Sequence, residues 1–292
     1  MMKRFRALPI LVIAGFVAAC NFPTSPATGA VSEASPEFTP EPGRTRTVRH
    51  TPVIPTSTRA AEHTSTDLGE PARPEEAILI LEPGNGSRLI SPAHVAGVAD
   101  PTFEQHLIVR IVDLEGMEIA LQPVIIAADL GQRGPFEVEV PFTVSGERRA
   151  WIQVFDVSAR DGGIVHLSSV AVTLAADGAE NVLPGESRPE RIAIFEPTLG
   201  EEIDGGVVRV EGFGLGGFEQ TLIVEVQDIA GAVVGSMPVT VTAPDFGLPG
   251  PFRAEVPYVL AEAGPGRIAV RDVSPAFGGD VHVASVAVSL AP

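Results

Sequence analysis

What the chain lacks narrows it before any motif is read. Its 292 residues include one cysteine, Cys20, one tryptophan, Trp151, and one tyrosine, Tyr258. A lone cysteine has no partner for an intramolecular disulfide, so any core must hold by packing alone. Lysine is confined to Lys3, which removes P-loop and Schiff-base lysine chemistry from the rest of the chain. Positive charge is scarce: 20 Lys and Arg stand against 37 Asp and Glu, a net of −17. No stretch is basic enough to neutralise phosphates, so nucleic-acid binding has no electrostatic footprint. Attraction to an anionic lipid surface is equally unsupported. Neither a G-x-S-x-G elbow nor H-E-x-x-H occurs, which excludes two common hydrolase signatures. Turn-formers are plentiful, with 30 Gly and 27 Pro, yet a hydrophobic content of 45% allows real cores in one to three domains.

The longest apolar run is short. Lys3, Arg4 and Arg6 precede Ala7 to Ala19, and Cys20 follows. Such a run covers about 20 Å as a helix, short of the ~30 Å hydrocarbon core of a bilayer, so it reads as a signal segment and not a span. The junction Val17-Ala18-Ala19-Cys20 resembles the bacterial lipobox. The resemblance implies cleavage before Cys20 and a diacylglycerol thioether on its sulfur; the alternative is a secretory signal that happens to contain a cysteine. On the lipobox reading, residues 1–19 are a lipoprotein signal peptide and the protein is extracytoplasmic, lipid-anchored to the bacterial cell membrane. Several acyl chains on one residue meet the two-chain condition for stable anchoring. Residues 20–76 begin at this Cys and continue as a Pro-, Thr- and Ser-rich stretch without apolar alternation, a composition that cannot offset chain entropy and reads as a disordered tether.

The remainder is one unit written twice. Ile78-Leu79-Ile80-Leu81-Glu82-Pro83 recurs as Ile192-Ala193-Ile194-Phe195-Glu196-Pro197, and Phe103-Glu104-Gln105 recurs as Phe218-Glu219-Gln220. Gly134-Pro135-Phe136 returns as Gly250-Pro251-Phe252, Asp156-Val157-Ser158 as Asp272-Val273-Ser274, and His166 as His282. Ser169-Val170-Ala171-Val172 returns as Ser285-Val286-Ala287-Val288. Two homologous domains follow, 77–176 and 191–292, joined by a linker at 177–190 rich in Gly, Pro and Glu.

Each copy reads as strands. Leu107, Val109 and Ile111 alternate with His106, Ile108 and Arg110, and turn residues interrupt every few positions. In the first copy the strands are expected near 78–81, 94–99, 105–113, 117–121, 136–141, 150–156 and 164–174. About seven short strands in about 100 residues indicate an immunoglobulin-like sandwich, with a closed barrel as the alternative. The motifs E-P after the first strand, F-E before an apolar strand, G-P-F, and D-x-S followed by G-G occur in both copies. Together they resemble the immunoglobulin-like domain of bacterial spore germination. That resemblance implies all-β sandwiches in an extracytoplasmic protein with a binding or structural role.

Candidate chemistry thins out on comparing the copies. Gly212-Phe213-Gly214-Leu215-Gly216-Gly217 fits G-x-G-x-x-G, but a strand follows where dinucleotide binding needs a helix. The stretch therefore reads as a loop, and no cofactor is expected. Asp156, Ser158 and His166, with Asp272, Ser274 and His282, supply the parts of a triad; the Asp and Ser share one loop entry, where such side chains bond local backbone. Both histidines are expected half-exposed at the start of the last strand. Asp156, Asp161 and Glu104 could offer oxygens to calcium, but the second copy has Phe277 in place of Asp161, leaving too few carboxylates. No metal set and no catalytic residue is assigned.

One asymmetry stands out. If Ile152 and Val154 face the core, then Trp151, Gln153 and Phe155 share the opposite face, where the second copy has Arg267, Ala269 and Arg271. This stripe is the candidate interaction surface, for a cell-envelope protein or a cell-wall glycan; otherwise it packs on the linker, a loop or the other domain. The expected function is a non-enzymatic cell-envelope lipoprotein displaying a binding or spacer module, with glycan or peptidoglycan binding through the stripe as the alternative.

Overall fold

Alternating β-branched residues form the strands that the pattern predicts. In the computed structural model residues 73–292, except Phe277, are described; the signal segment, Cys20 and the tether up to residue 72 lie outside the described residues. The first copy holds β1 (Ile78–Glu82), β2 (Arg88–Leu89), β3 (Ala93–Ala99), β4 (His106–Asp113), β5 (Glu118–Ile125), β6 (Gly134–Val140), β7 (Arg148–Val157) and β8 (Ile164–Leu174). The second repeats the order as β9 (Ile192–Glu196), β10 (Glu202–Ile203), β11 (Val207–Gly214), β12 (Thr221–Gln227), β13 (Val233–Thr240), β14 (Gly250–Pro257), β15 (Gly264–Val273) and β16 (Asp280–Leu290). Each copy thus has one short strand more than expected, and β5 runs past the forecast end at 121.

Each copy is a sandwich. A three-stranded sheet, β1-β3-β6 or β9-β11-β14, packs on the sheet formed by β5-β4-β7-β8 or β13-β12-β15-β16. Strict alternation marks the inner faces: in β14 the buried Gly250, Phe252, Ala254 and Val256 alternate with exposed residues. The first core gathers Ile78, Val95, Leu107, Val109, Phe136, Ile152 and Leu174; the second gathers Ile192, Val210, Leu222, Phe252, Ile268 and Leu290. Burying each such side chain contributes about 1.5–3 kcal/mol, which supplies stability without a disulfide.

The two larger sheets are continuous. β8 pairs antiparallel with β16 at Leu167 and Val283, making one ten-stranded sheet across both copies. A local pseudo-twofold relation governs the seam. The Ser169 hydroxyl donates to the Val281 carbonyl and the equivalent Ser285 hydroxyl donates to the Val165 carbonyl, both at 2.6 Å.

The segments read as tether end and linker are also built in. Glu190 donates its backbone N–H to the Pro74 carbonyl (2.8 Å) and Glu76 donates to the Arg188 carbonyl (3.2 Å). Residues 73–76 therefore belong to the folded unit, a correction to the tether boundary at 76. The linker 177–190 runs along the first copy: Gly84 donates to the Leu183 carbonyl (2.7 Å) and Gly185 to the Leu81 carbonyl (2.8 Å). Arg88 fastens its start, donating to the Asp177 carbonyl at 2.9 Å and pairing with Glu147. Backbone hydrogen bonding has used up a composition that otherwise suggests a free connector.

Candidate functional site

The expected surface stripe is not a surface. β7 does place Trp151, Gln153 and Phe155 on one face, but Gln153 is 1% and Phe155 5% exposed. The second copy covers them. Phe155 packs with Leu167 of β8 and Val283 of β16. Gln153 donates its side-chain amide to the Asp280 carbonyl (2.6 Å) and accepts from Arg110 (2.9 Å), while the Arg110 guanidinium lies 5.0 Å from the Phe155 ring centroid. Only Trp151 keeps partial exposure. Residues of this stripe that differ between the copies sit at the seam: Gln153 and Phe155 meet the second copy at Asp280 and Val283, and Arg267 reaches Asp161 of the first.

Both histidines lie deeper than expected. His282 is fully buried, and the side chain of His166 is 13% exposed. Their rings meet edge to face with centroids 5.2 Å apart. Cross-strand pairing puts His166 opposite Asp156 and His282 opposite Asp272. Ser158 and Ser274 accept the backbone N–H of Arg160 (3.3 Å) and Ala276 (3.2 Å), the local turn role the sequence suggests. Asp161 accepts from Gly163 (2.9 Å), pairs with Arg160, and faces Arg267 of the second copy at 3.5 Å. Two guanidinium groups thus flank the Asp161 carboxylate.

Two glutamates complete the histidine pair, and the sequence reading missed both. Glu76 and Glu190 sit two residues before β1 and β9, at equivalent positions of the two copies. Both are buried. Their Oε2 atoms are held reciprocally: Glu76 Oε2 accepts from the Arg191 backbone N–H at 3.1 Å, and Glu190 Oε2 accepts from the Ala77 N–H at 2.8 Å. Arg188 adds a contact of 3.3 Å to Glu76 Oε2. The Oε1 atoms are thereby turned toward the imidazoles. Glu190 Oε1 lies 2.9 Å from His282 Nε2 and 3.6 Å from His166 Nε2; Glu76 Oε1 lies 3.5 Å from His282 Nδ1 and 3.8 Å from His166 Nε2.

Burial and the neighbouring charges shift the two imidazoles differently. Burial drives the His282 imidazole well below its usual range, and the positive neighbours His166, Arg191 and Arg188 add to that effect against the pull of Glu76. Burial acts on His166 in the same sense, but the Glu190 and Glu76 carboxylates outweigh it and hold His166 above its usual range. The two imidazoles are thus pulled in opposite directions, His282 down and His166 up, beside the same two carboxylates. A cleft of about 400 Å³, lined by Pro74, Ala77, His166, Glu190 and Ser285 among others, opens onto this cluster.

The legible signal for the cluster was the internal repeat. A glutamate stands two residues before the first strand of each copy, and a histidine is the third residue of the last strand of each. Superposing copies shows the pairs; reading composition alone places both glutamates in solvent.

Fold and seam define a tandem immunoglobulin-like protein with its two sandwiches fused by a continuous sheet. The family description "immunoglobulin-like domain of bacterial spore germination" matches residues 77–163 and again 191–279. These segments make up more than half of the chain, which belongs to this family as two tandem copies. No curated protein matches the chain significantly. Among solved structures it is similar to red sea bream transglutaminase (10% identity, covering 73% of this chain and 31% of that one, TM-score 0.25). It is also similar to bovine butyrophilin (14%, 73% and 98%, 0.22) and to dimeric latent PorU from Porphyromonas gingivalis (12%, 74% and 24%, 0.22). The chain spans under a third of the transglutaminase, and at these TM-scores the likenesses carry no functional argument.

Proposed function

We propose that the protein is a non-enzymatic lipoprotein of the bacterial cell envelope, whose two immunoglobulin-like copies act as one stiff binding or spacer module held to the membrane through lipid on Cys20. The supporting observation is the seam: the copies share a sheet, the paired Ser169 and Ser285 hydrogen bonds and the buried Phe155, Leu167 and Val283. Tandem domains joined by a flexible hinge transmit no fixed geometry, whereas a fused sheet projects a constant length and orientation. The family is generally non-catalytic, and the serines of the triad-like sets take turn roles. A glycan platform on Trp151, Gln153 and Phe155 gains no support, because two of the three are covered. The anchor reading rests on the lipobox-like Val17-Ala18-Ala19-Cys20 junction; among the described residues no helix is long and apolar enough to cross a membrane.

The test is fractionation of cells producing the protein with Cys20 intact or as Cys20→Ala, followed by capture from insoluble cell wall and from solubilised envelope proteins. Membrane association that disappears in the variant supports the anchor. Unchanged association in the variant overturns it. Turnover of any substrate by the purified protein overturns the non-enzymatic reading.

A further inference from the structure

We propose that Glu76, His166, Glu190 and His282 form a binding site for one divalent transition-metal ion of the zinc class, lying on the pseudo-twofold relation between the copies. Each residue offers one donor atom, and the four atoms lie within 4.8 Å of one another. Zinc bonds of about 2.0–2.2 Å to imidazole and carboxylate place neighbouring donors about 3.4 Å apart in a tetrahedron. With Nδ1 as the His282 donor and Nε2 as the His166 donor, the separations of 3.5 Å (His282–Glu76), 3.6 Å (His166–Glu190) and 3.8 Å (His166–Glu76) stand within a few tenths of that spacing, while Glu190 Oε1 meets the other nitrogen of His282 at 2.9 Å.

Hydrogen bonding inside the cluster leaves its donors underused. Glu76 Oε1, His166 Nε2 and His282 Nδ1 are buried and have no hydrogen-bond partner, a costly state for polar atoms in a buried site. The carboxylates are meanwhile prepared as one-oxygen ligands. Their Oε2 atoms are fixed by backbone N–H groups of the opposite copy's segment, the outer-shell orientation that metal-ligating carboxylates receive. Two imidazoles among the donors favour zinc-like ions over calcium or magnesium, which prefer all-oxygen shells. Two carboxylates balance the ion's charge, while Arg188 stays on the far oxygen of Glu76 and Arg191 pairs with Asp272. The cleft at His166 and Glu190 gives an entry path. One Glu and one His come from each copy, so the ligand set is complete only when the copies are docked. The ion would act as a staple for the seam, and the inference is independent of how the chain is anchored.

The experiment uses the full chain, purified in detergent and stripped with chelator, then titrated with Co²⁺ and with Zn²⁺ by equilibrium dialysis and visible absorption. The expected result is one ion per chain, a tetrahedral Co²⁺ spectrum without thiolate charge-transfer bands, and displacement by Zn²⁺. Affinity should fall at least about tenfold in His282→Gln and in Glu190→Gln, while a Cys20→Ser/His94→Gln chain binds as before. That control matters because His94 has exposed Glu137 and Glu139 beside it. Should the buried variants fail to fold, X-ray absorption of zinc-loaded wild type decides: two imidazoles with oxygen donors support the site, and sulfur or fewer imidazoles overturn it. Absence of retained metal in the wild type, or retention untouched by both buried substitutions in folded protein, also overturns it.

Discussion

Gly97 and Gly212 show at single-residue scale how closely the two copies repeat each other. A Cβ at Gly97 would stand 2.2 Å from the Leu79 carbonyl oxygen and 2.6 Å from the Phe136 ring; at Gly212 the neighbours are the Ala193 oxygen and the Phe252 ring, both at 2.3 Å. Each glycine lets a core aromatic lie across the neighbouring strand. Gly212 is therefore strand, part of β11, where the glycine pattern suggested a loop; the loop begins only after Gly214. Replacing Gly97 by Ala forces backbone, not a flexible side-chain end, to move, and a cost of about 1–3 kcal/mol is expected. Denaturant unfolding of Gly97→Ala beside wild type measures it. Asp161 gives a second residue-scale expectation. Burial raises its pKa, but the Gly163 N–H, Arg160, the Ser158 hydroxyl and Arg267 outweigh burial and bring it down to about 2. A depressed carboxylate stabilises the fold above its unfolded pKa near 4, and that stability is lost as pH falls toward 2. An Asp161→Asn chain should therefore be less stable than wild type at pH 6, and the gap should narrow on acidification. A gap that stays constant from pH 6 to pH 2 contradicts the assignment.

At the scale of strands, the seam rests on small polar groups placed along two sheet edges. β8 and β16 are edge strands of their own sandwiches, and unprotected edges invite uncontrolled pairing. Each uses its serine hydroxyl to reach the partner's backbone, at 2.6 Å in both directions. Ser169→Ala/Ser285→Ala removes both bonds, each with a typical net value of about 0.5–1.5 kcal/mol. The expected outcome is a looser seam with both sandwich cores kept: faster amide exchange across 164–169 and 280–285, little change in β3 or β11. Equal loss of protection in all four strands would mean that the serines support the cores instead. Strand positions were legible because one face of each is buried, and period-two alternation records that in sequence. The seam was not. Phe155 and Gln153 look like outward residues because outwardness is judged against one sandwich, and here a second sandwich supplies the missing cover. Glu76 and Glu190 were hidden for a related reason. Their neighbours are polar and proline-rich, yet pairing between residues 74–76 and 188–190 buries them through contacts more than a hundred positions apart in sequence.

At the scale of the whole molecule, the seam is a self-complementary surface that has been covalently completed. Copies descended from one unit dock about a pseudo-twofold relation, the intramolecular form of an isologous dimer in which one patch meets its own equivalent. Divergence has since sorted the partners, with Gln153 and Phe155 on one side and Ala269 and Arg271 on the other. Arg271 now holds Asp280 and Glu225, while Phe155 fills the apolar side. Residues 65–190 produced alone retain a full core of their own, along with β8, Phe155, Leu167, Glu76 and His166. Removing the second copy exposes Phe155 and Leu167 together with an unpaired β8 edge, a surface that soluble monomers seldom tolerate. The fragment is therefore expected to self-associate, β8 against β8, and to bring two copies of Glu76, Glu190 and His166 together about a true twofold axis. Sedimentation should show a concentration-dependent dimer, and Ser169→Arg, which places a charged side chain in the middle of the new seam, should return it to monomer. A fragment that is monomeric and as stable as the intact protein would show instead that the second copy is carried by the first without supporting it. In that case the stiff module would have to rest on the linker's hydrogen bonds to β1 and β2 and not on the shared sheet.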